Sequence, residues 1–523
     1  MDKYNFEPET AVCINNENSD LSLILTLGVI FAGGFVVCTS HKDPYAEVLY
    51  VCKKVGPKFL LCSETRLNWA KQLELDLGND QQVIGIAIDR HSDLFSYDHN
   101  MSRAFLTNKI PVPSDDLRKR IAFVTMSSGS TGRPKAVPVT QFTCLLDALT
   151  NPFCSDPLLV KGANIVYSSS LAHISGRIMQ FGALVNGYNL VILAEYSPAV
   201  FLKLVEKYKV PCIHLGAGVL HSLINYKQLE NYDISSIVRI GPIGSHIVYL
   251  EEFKRFLNMH KHIKFIGNLY GSSEIGIITT LLDQKPEDYF IDSRDCGRLL
   301  AGCQVKIVDM DSGKLLGKNQ RGIIHAKSDM MFSGYYDYSA SKTTPFVRGD
   351  FDSDGFFVSG DIGLIDDDER LHMFGRQKEV MVCRVGRKVV PQELEMILQE
   401  HQSVSSSSVI GIEATVEGGL HCPRAFVVPT RSYYSSARNG TEKSSSSSGE
   451  QSKLCSLPTE LCRLLAQELL DFVNERVGWE RQLTGGIAII DEIPTLHTGK
   501  INKSRLREFG PNRVEIFGNK CEK

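Results

Sequence analysis

Short apolar runs alternate along this chain with stretches that carry an apolar residue every third or fourth position. Residues 83–88, 165–167, 190–193, 237–240 and 264–266 read as buried strands, and 199–208 and 248–256 as amphipathic helices between them. That alternation predicts parallel βαβ units. From about residue 296 to 361 the pattern changes to brief strands and turns, at 305–308, 322–325 and 355–358. A β-rich subdomain is therefore expected to close the larger part of an α/β fold. After Lys378 a smaller α+β pattern follows, with helices at 392–402 and 459–477 and strands near 408–412 and 423–428. The chain shows no internal repeat.

Two stretches need a closer reading. Residues 21–38 carry no charge and are long enough to suggest a membrane span. Glu17-Asn-Ser-Asp20, however, offers capping side chains, 21–32 has helical spacing, and Gly33-Gly34 would end a helix before an apolar strand at 35–38. A buried helix–turn–strand unit accounts for the glycine pair, which a span does not need. No integral membrane segment is expected. Residues 432–456 contain the serine run 444–448 and little that is apolar, which predicts a disordered insertion in a loop of the small unit.

Bulk properties narrow the function classes. A length of 523 residues allows roughly three to four domain-sized units. With 43% hydrophobic and 22% charged residues and a net charge of −3, nothing pulls the chain toward nucleic acid or an anionic membrane. The fourteen cysteines form no Cys-x-x-Cys pair, and Met1-Asp-Lys-Tyr-Asn-Phe-Glu-Pro-Glu is not a basic leader. Cys521-Glu-Lys523 is not a peroxisomal signal. Together these point to reduced cytoplasmic thiols, without a disulfide framework or a zinc site.

The chemistry concentrates in Met126-Ser-Ser-Gly-Ser-Thr-Gly-Arg-Pro-Lys-Ala-Val137, which follows the apolar run 121–125. Hydroxyls on Ser127, Ser128, Ser130 and Thr131, turns at Gly129 and Gly132, and the cation of Lys135 suit a polyphosphate. The spacing is not that of a Walker A loop, and on composition alone a serine–glycine linker is the default reading. Six further blocks change that balance. They are Ala172-His173-Ile-Ser-Gly176, Tyr270-Gly-Ser-Ser-Glu274, Ser359-Gly-Asp361, Gly375-Arg376-Gln-Lys378-Glu379, Pro391-Gln-Glu-Leu-Glu395 and Pro494-Thr-Leu-His-Thr-Gly-Lys500. In this order, from about residue 10 to 509, they resemble the adenylate-forming superfamily of acyl-CoA synthetases, 4-coumarate–CoA ligases and insect luciferases.

The resemblance implies a large adenylation domain at 1–377, short at its start, a small mobile C-terminal domain at 378–510 and a tail at 511–523. It implies that residues 127–135 cradle the β- and γ-phosphates of ATP, that Tyr270 stacks on adenine beside Gly271, and that Ser273 meets the α-phosphate. Glu274 would hold Mg²⁺, and Asp361 with Arg376 would hold the ribose. Gly241 would lie beside adenine and the acyl group, His173 on the substrate side, Lys378 at the hinge, and Lys500 would be the catalytic lysine. The motif around Tyr270 is expected as a loop after the strand 264–266, at a carboxyl strand end where open α/β sheets bind ligands.

The implied activity is ATP-dependent ligation of a small carboxylic acid to coenzyme A through an acyl-adenylate. Segments 173–177, 215–220, 241–245 and 275–278 are apolar or small and suggest a hydrophobic acid, fatty or aryl. Ala136, Gln141 and Lys388 depart from the usual pattern, and 378–391 is one residue longer. The last two touch the loop expected to line the thiol channel. An adenylate-forming enzyme with a non-CoA acceptor, or a non-catalytic binder of acyl groups or nucleotides, are the rival readings.

Overall fold

A computed structural model describes residues 6–78, 83–87, 117–127, 134–150, 159–243, 247, 249–339, 345–347, 349–383, 386–413, 420–430, 432–434, 457–495, 501–509 and 515–516. The N-terminal part is a six-stranded sheet in the order Ile84–Ala87, Phe59–Cys62, Ala11–Asn16, Phe35–Ser40, Ile121–Ser127, Lys135–Thr140. All neighbours are parallel except the last pair. Its strands are apolar on both faces. Cys13 and Val37 pack with Val48, Cys52 and Leu73 on one side, while Val12 and Val36 pack with Val29 and Phe123 on the other. A sheet buried on both faces needs such continuous apolar runs rather than alternation.

The uncharged stretch resolves as the helix Asp20–Phe31 and the strand Phe35–Ser40. Ser19 caps the helix by accepting from the Ser22 amide at 3.2 Å. Gly33 ends it at φ 86°, a left-handed conformation that favours glycine. No helix among the described residues is long and apolar enough to cross a membrane.

A nine-stranded sheet forms the middle of the chain. Cys212–Gly216, Arg239–Ile243 and Phe265–Ser272 are its parallel part, packed on Pro198–Tyr208, Ala217–Ile224 and Leu250–Met259. Gly276–Gln284, Asp295–Leu299, Arg370–Arg376, Phe357–Ile365, Gly322–Lys327 and Gln304–Val308 continue it antiparallel. The β-rich run thus supplies part of the antiparallel half of this sheet, with Gly276–Gln284 and Arg370–Arg376 added from either side of it. Beyond Arg376 the chain builds a four-stranded sheet from Val404–Glu413, His421–Pro429, Ile487–Ile489 and Glu515–Ile516. The helices Pro391–Gln399 and Thr459–Asn474 cover it, burying Leu394, Leu398, Leu465 and Leu469.

Two expectations need correction here. The strand near 408–412 begins at Val404, so Ser405–Ser408 are buried within it. The packed chain also extends past Ser432. Tyr433 donates to the Leu461 carbonyl at 3.4 Å and Tyr434 to Asp491 at 2.8 Å, and both rings lie against the small core. The rest of the expected insertion, 435–456, lies outside the described residues.

One ion cluster makes stability depend on pH. His372 points Nδ1 at Asp292, 3.0 Å away, and Nε2 at Asp366, 2.8 Å away. The bond to Asp292 leads in raising the imidazole pKa, burial opposes it, and the bond to Asp366 adds to it. A raised pKa contributes stability that is full below the unfolded value of about 6.5 and lost as pH rises through the folded value. His372→Gln should therefore lower the thermal midpoint most at mildly acid pH, and the gap from wild type should narrow toward alkaline pH. A gap that is constant with pH would refute the assignment.

Candidate active site

The centre of the site comes from three strands of the nine-stranded sheet. Asp361 on Phe357–Ile365 stands opposite Arg376 on Arg370–Arg376. Arg376 Nε lies 3.0 Å from Asp361 Oδ1, while Tyr270 donates its hydroxyl to Oδ2 at 2.8 Å. Asp361 is almost fully buried, and its Oδ1 has no aligned hydrogen bond. Burial pushes the Asp361 carboxyl pKa up, against Arg376 and Tyr270, and the nearby charges of Glu274 and Glu379 push it further. Burial raises the Tyr270 phenol as well, with Asp361 adding to it, so this hydroxyl stays protonated and donating. The Arg376 side chain is 44% exposed, so its guanidinium can meet a ligand from solvent.

A buried acceptor oxygen without an aligned donor, beside a half-exposed guanidinium, is suited to the hydroxyls and phosphate of a nucleotide. Tyr270 itself is 5% exposed and packed with Val137, Ile275 and Phe332. The expectation of a loop there is corrected. The strand Phe265–Ser272 runs through Tyr270 and Gly271, which pair with Thr279 and Ile277 of the next strand. Only Ser273, Glu274 and Ile275 form the turn, so Glu274 stands at the strand end and Tyr270 inside the sheet.

A second group lies on the antiparallel pair Ile121–Ser127 and Lys135–Thr140, where Ser127 pairs with Lys135. Ser128, Gly129, Ser130, Thr131 and Gly132, which the sequence reading also assigned to phosphates, lie outside the described residues. The Lys135 ammonium sits 4.5 Å from the centroid of the Tyr335 ring and 3.6 Å from Asp350. Tyr335 in turn donates to Glu274 Oε1 at 3.5 Å. Lys135 and Glu274 thus share one neighbour, which the motif reading missed. The available signal was an aromatic after Gly334 in a short strand, too common a pattern to single out. Burial raises the Tyr335 phenol pKa, and the carboxylates of Glu274 and Asp350 add to this.

Among the described residues no cluster of three His, Cys, Asp or Glu side chains is placed to hold a metal alone. A half-buried Glu274 at a strand end fits Mg²⁺ of the kind that takes one carboxylate and completes its shell with phosphates and water.

Other predicted residues sit on other elements. His173 is exposed at the N-cap of Ile174–Asn186. Behind it Gly176 is pressed so close to the chain that a Cβ would lie 1.8 Å from the Ser170 carbonyl. Ala172, Ser170, Asn16 and Asn18 are among the residues that line a cleft of mixed character with about 20 Å³ of free space, room for one water. Gly241 lies inside the strand Arg239–Ile243, paired with His214. Lys378 is exposed in the short 3₁₀ turn Gln377–Glu379. Lys388 contacts Asp311. Lys500 lies outside the described residues, although Thr495 and Ile501 on either side of 496–500 form a β-bridge.

Four residues of the segments expected to line an acyl pocket are packed in cores. Leu215 and Leu220 are buried in one core, Ile275 and Ile278 in another, so these side chains are committed to packing. Their apolarity does not argue for a hydrophobic substrate.

The profile of the AMP-binding enzyme family matches residues 2–336. The chain is similar to luciferin 4-monooxygenase of Photinus pyralis, 26% identical over 525 residues, covering 97% of this chain and 86% of that protein. It is also similar to probable 4-coumarate–CoA ligase 3 of Dictyostelium discoideum, 27% identical over 406 residues, covering 76% and 65% respectively. Its fold resembles that of ATP-bound MatB from Rhodopseudomonas palustris with a TM-score of 0.74, at 18% identity and over 97% of this chain and 90% of that one.

Proposed function

The chain belongs to the AMP-binding enzyme family, and from that premise we propose that it is an ATP-dependent carboxylic acid–CoA ligase. The observation that carries this reading is the Tyr270–Asp361–Arg376 group, with an unaligned buried acceptor at its centre and Glu274 within electrostatic range. In the first half-reaction the acid's carboxylate oxygen attacks the α-phosphorus of ATP. The bond to pyrophosphate breaks, and an acyl-adenylate remains. In the second, a CoA thiolate attacks the acyl carbon, AMP leaves with its electron pair, and the thiol proton passes to solvent.

Each residue has a part in this reading. Asp361 takes the ribose hydroxyls, and Tyr270 keeps its second oxygen occupied and oriented. Arg376 reaches the sugar or a phosphate. Ser127 through Lys135 hold the terminal phosphates, so the Lys135 ammonium must leave Asp350 and the Tyr335 ring when ATP arrives. Glu274 would hold Mg²⁺, which when bound neutralises phosphate charge as the anions meet. Lys500 would bridge carboxylate and α-phosphate. Domains at 1–377 and 378–510 would turn against each other between the two steps.

CoA is favoured as acceptor by the relative named as a CoA ligase; the relative named as a monooxygenase supports the rival, an adenylate passed to another acceptor. The proposed acid is aryl or fatty, on the strength of the 4-coumarate relative rather than of pocket residues. The test is a panel of acids with ATP, Mg²⁺ and CoA, followed by pyrophosphate release and mass spectrometry. Acyl-CoA from at least one acid is expected. Pyrophosphate and acyl-AMP without a thioester would move the assignment to another acceptor. Neither product from any acid would overturn it.

A further inference from the structure

The segments flanking 496–500 are tied down at two points. The Asn502 amide donates to the Pro494 carbonyl at 2.7 Å, and Thr495 bridges Ile501, so the two flanks are joined at their base. Asn502 then caps the short helix Lys503–Glu508 through the Arg505 amide at 3.0 Å, and Leu506 is buried among Ile410, Phe426 and Ile490. That is the first anchor. The second is Lys503, whose ammonium lies 2.7 Å from Glu379 Oε2; the Gln392 amide donates to the same oxygen at 2.9 Å.

Glu379 directly follows Lys378. We propose that the Glu379–Lys503 ion pair is a positioning clamp that fixes the base of the segment leading to Lys500 against the residue next to the hinge. The inference rests on the ligase reading above for the roles of Lys378 and Lys500, and adds the two residues that join them.

The pair is well placed for this task. Lys503 and Glu379 are only 18% and 31% exposed, so solvent and salt weaken their attraction less than at an open surface. Lys503 also faces the fully buried Glu395, which accepts from the Val409 amide at 2.8 Å. Burial alone would raise the Glu379 carboxyl pKa, yet Lys503 and Gln392 hold it below the usual range. Since one peptide unit separates Glu379 from the hinge residue, the clamp transmits rotation at 378 to residues 501–503 with little slack. Leu506, with Ile501 and Phe509, holds the helix to the core of the four-stranded sheet, and the ion pair adds a direct tie from that helix to the residue beside the hinge.

The test separates the clamp from the site reading. Hydrogen exchange at residues 501–502 is measured on the full chain without substrate, for wild type, Lys503→Met, Glu379→Gln and Lys503→Arg. The two neutralised variants should exchange at least tenfold faster there at unchanged exchange in the Leu465–Leu469 helix, and Lys503→Arg should stay near wild type. In activity, Lys503→Met should lower the rate of acyl-adenylate formation at least tenfold. Thioester formation from supplied acyl-AMP should stay within about threefold, with rescue by Lys503→Arg. Should Lys503→Met fail to fold, Glu379→Gln carries both measurements. Wild-type exchange at 501–502 in the folded variants, or equal losses in both half-reactions, would overturn the clamp. A wild type that adenylates no acid would overturn the site reading while the exchange result still judged the clamp.

Discussion

Lys500→Ala is expected to slow acyl-adenylate formation by about 10²–10³-fold, the range typical for removing one charge donor aimed at a transition state. A carboxylate attacking a triphosphate brings two anions together in line. The barrier is dominated by their repulsion and by the charge that develops on the oxygens around the α-phosphorus. A lysine ammonium on a flexible stem can bridge both, and its benefit appears only when they are close. The loss should therefore fall on the rate of the chemical step more than on ATP affinity. Thioester formation from supplied acyl-AMP should remain near wild type, because the carbonyl is then already activated. Single-turnover pyrophosphate release and thioester assays on the same preparation decide the matter. Pyrophosphate release at the wild-type rate would reject Lys500 as the catalytic lysine.

The elements most legible in the sequence were those where local and long-range demands agree. The helix at Asp20–Phe31, its Ser19 cap and its stop at Gly33 follow from capping chemistry and spacing, and tertiary packing only confirms them. The buried strand at Ile121–Ser127 was visible because a strand covered on both faces must be apolar throughout. Asp361 and Arg376 were found as separate motif residues. That they face each other across two antiparallel strands is a matter of register, which no short motif carries.

Where polar residues are buried, the sequence misleads. The expected strand near 408–412 stops short of Ser405–Ser407, yet these lie in a buried strand in which Ser405 donates to Glu252 and Ser407 to the Glu395 carbonyl. A hydroxyl buried against an acceptor from another part of the chain leaves no trace in the local pattern. The converse case is Leu215, Leu220, Ile275 and Ile278, four residues of the segments expected to line an acyl pocket. Apolar residues near a site look like a pocket, and only packing shows that they face a core. Tyr335 was missed because its role depends on the Lys135 ammonium and Glu274, which come from distant parts of the chain.

Lys378→Pro is expected to separate the two half-reactions, leaving one within a few-fold of wild type and suppressing the other by about a hundredfold or more. The site must first exclude water around ATP and acid, then admit a thiol, and two arrangements of the small domain would meet both needs. In the arrangement described here, Ser405 contacts Glu252, Lys388 contacts Asp311, and Glu393 contacts Arg321. The last two pairs are largely at the surface and weak. Glu252 also holds His221 at 2.8 Å and Asn225 at 2.6 Å, so it keeps partners if Ser405 departs. Val390 also packs on Ile323, Ile362 and Phe374, so the apolar contact as well as the polar ones must give way, and on this reading the backbone at 377–379 is the place where the two arrangements are chosen. That backbone is a 3₁₀ turn closed by the Val380 amide on the Gln377 carbonyl at 3.2 Å. Proline at 378 would fix φ there and disfavour the helical region for Gln377 before it. A misplaced proline costs about 3 kcal/mol or more, which sets the hundredfold scale. Adenylation and thioester assays on the variant, with its thermal midpoint as a control, read the split directly. Equal loss in both steps with the fold intact would place the hinge elsewhere in the chain.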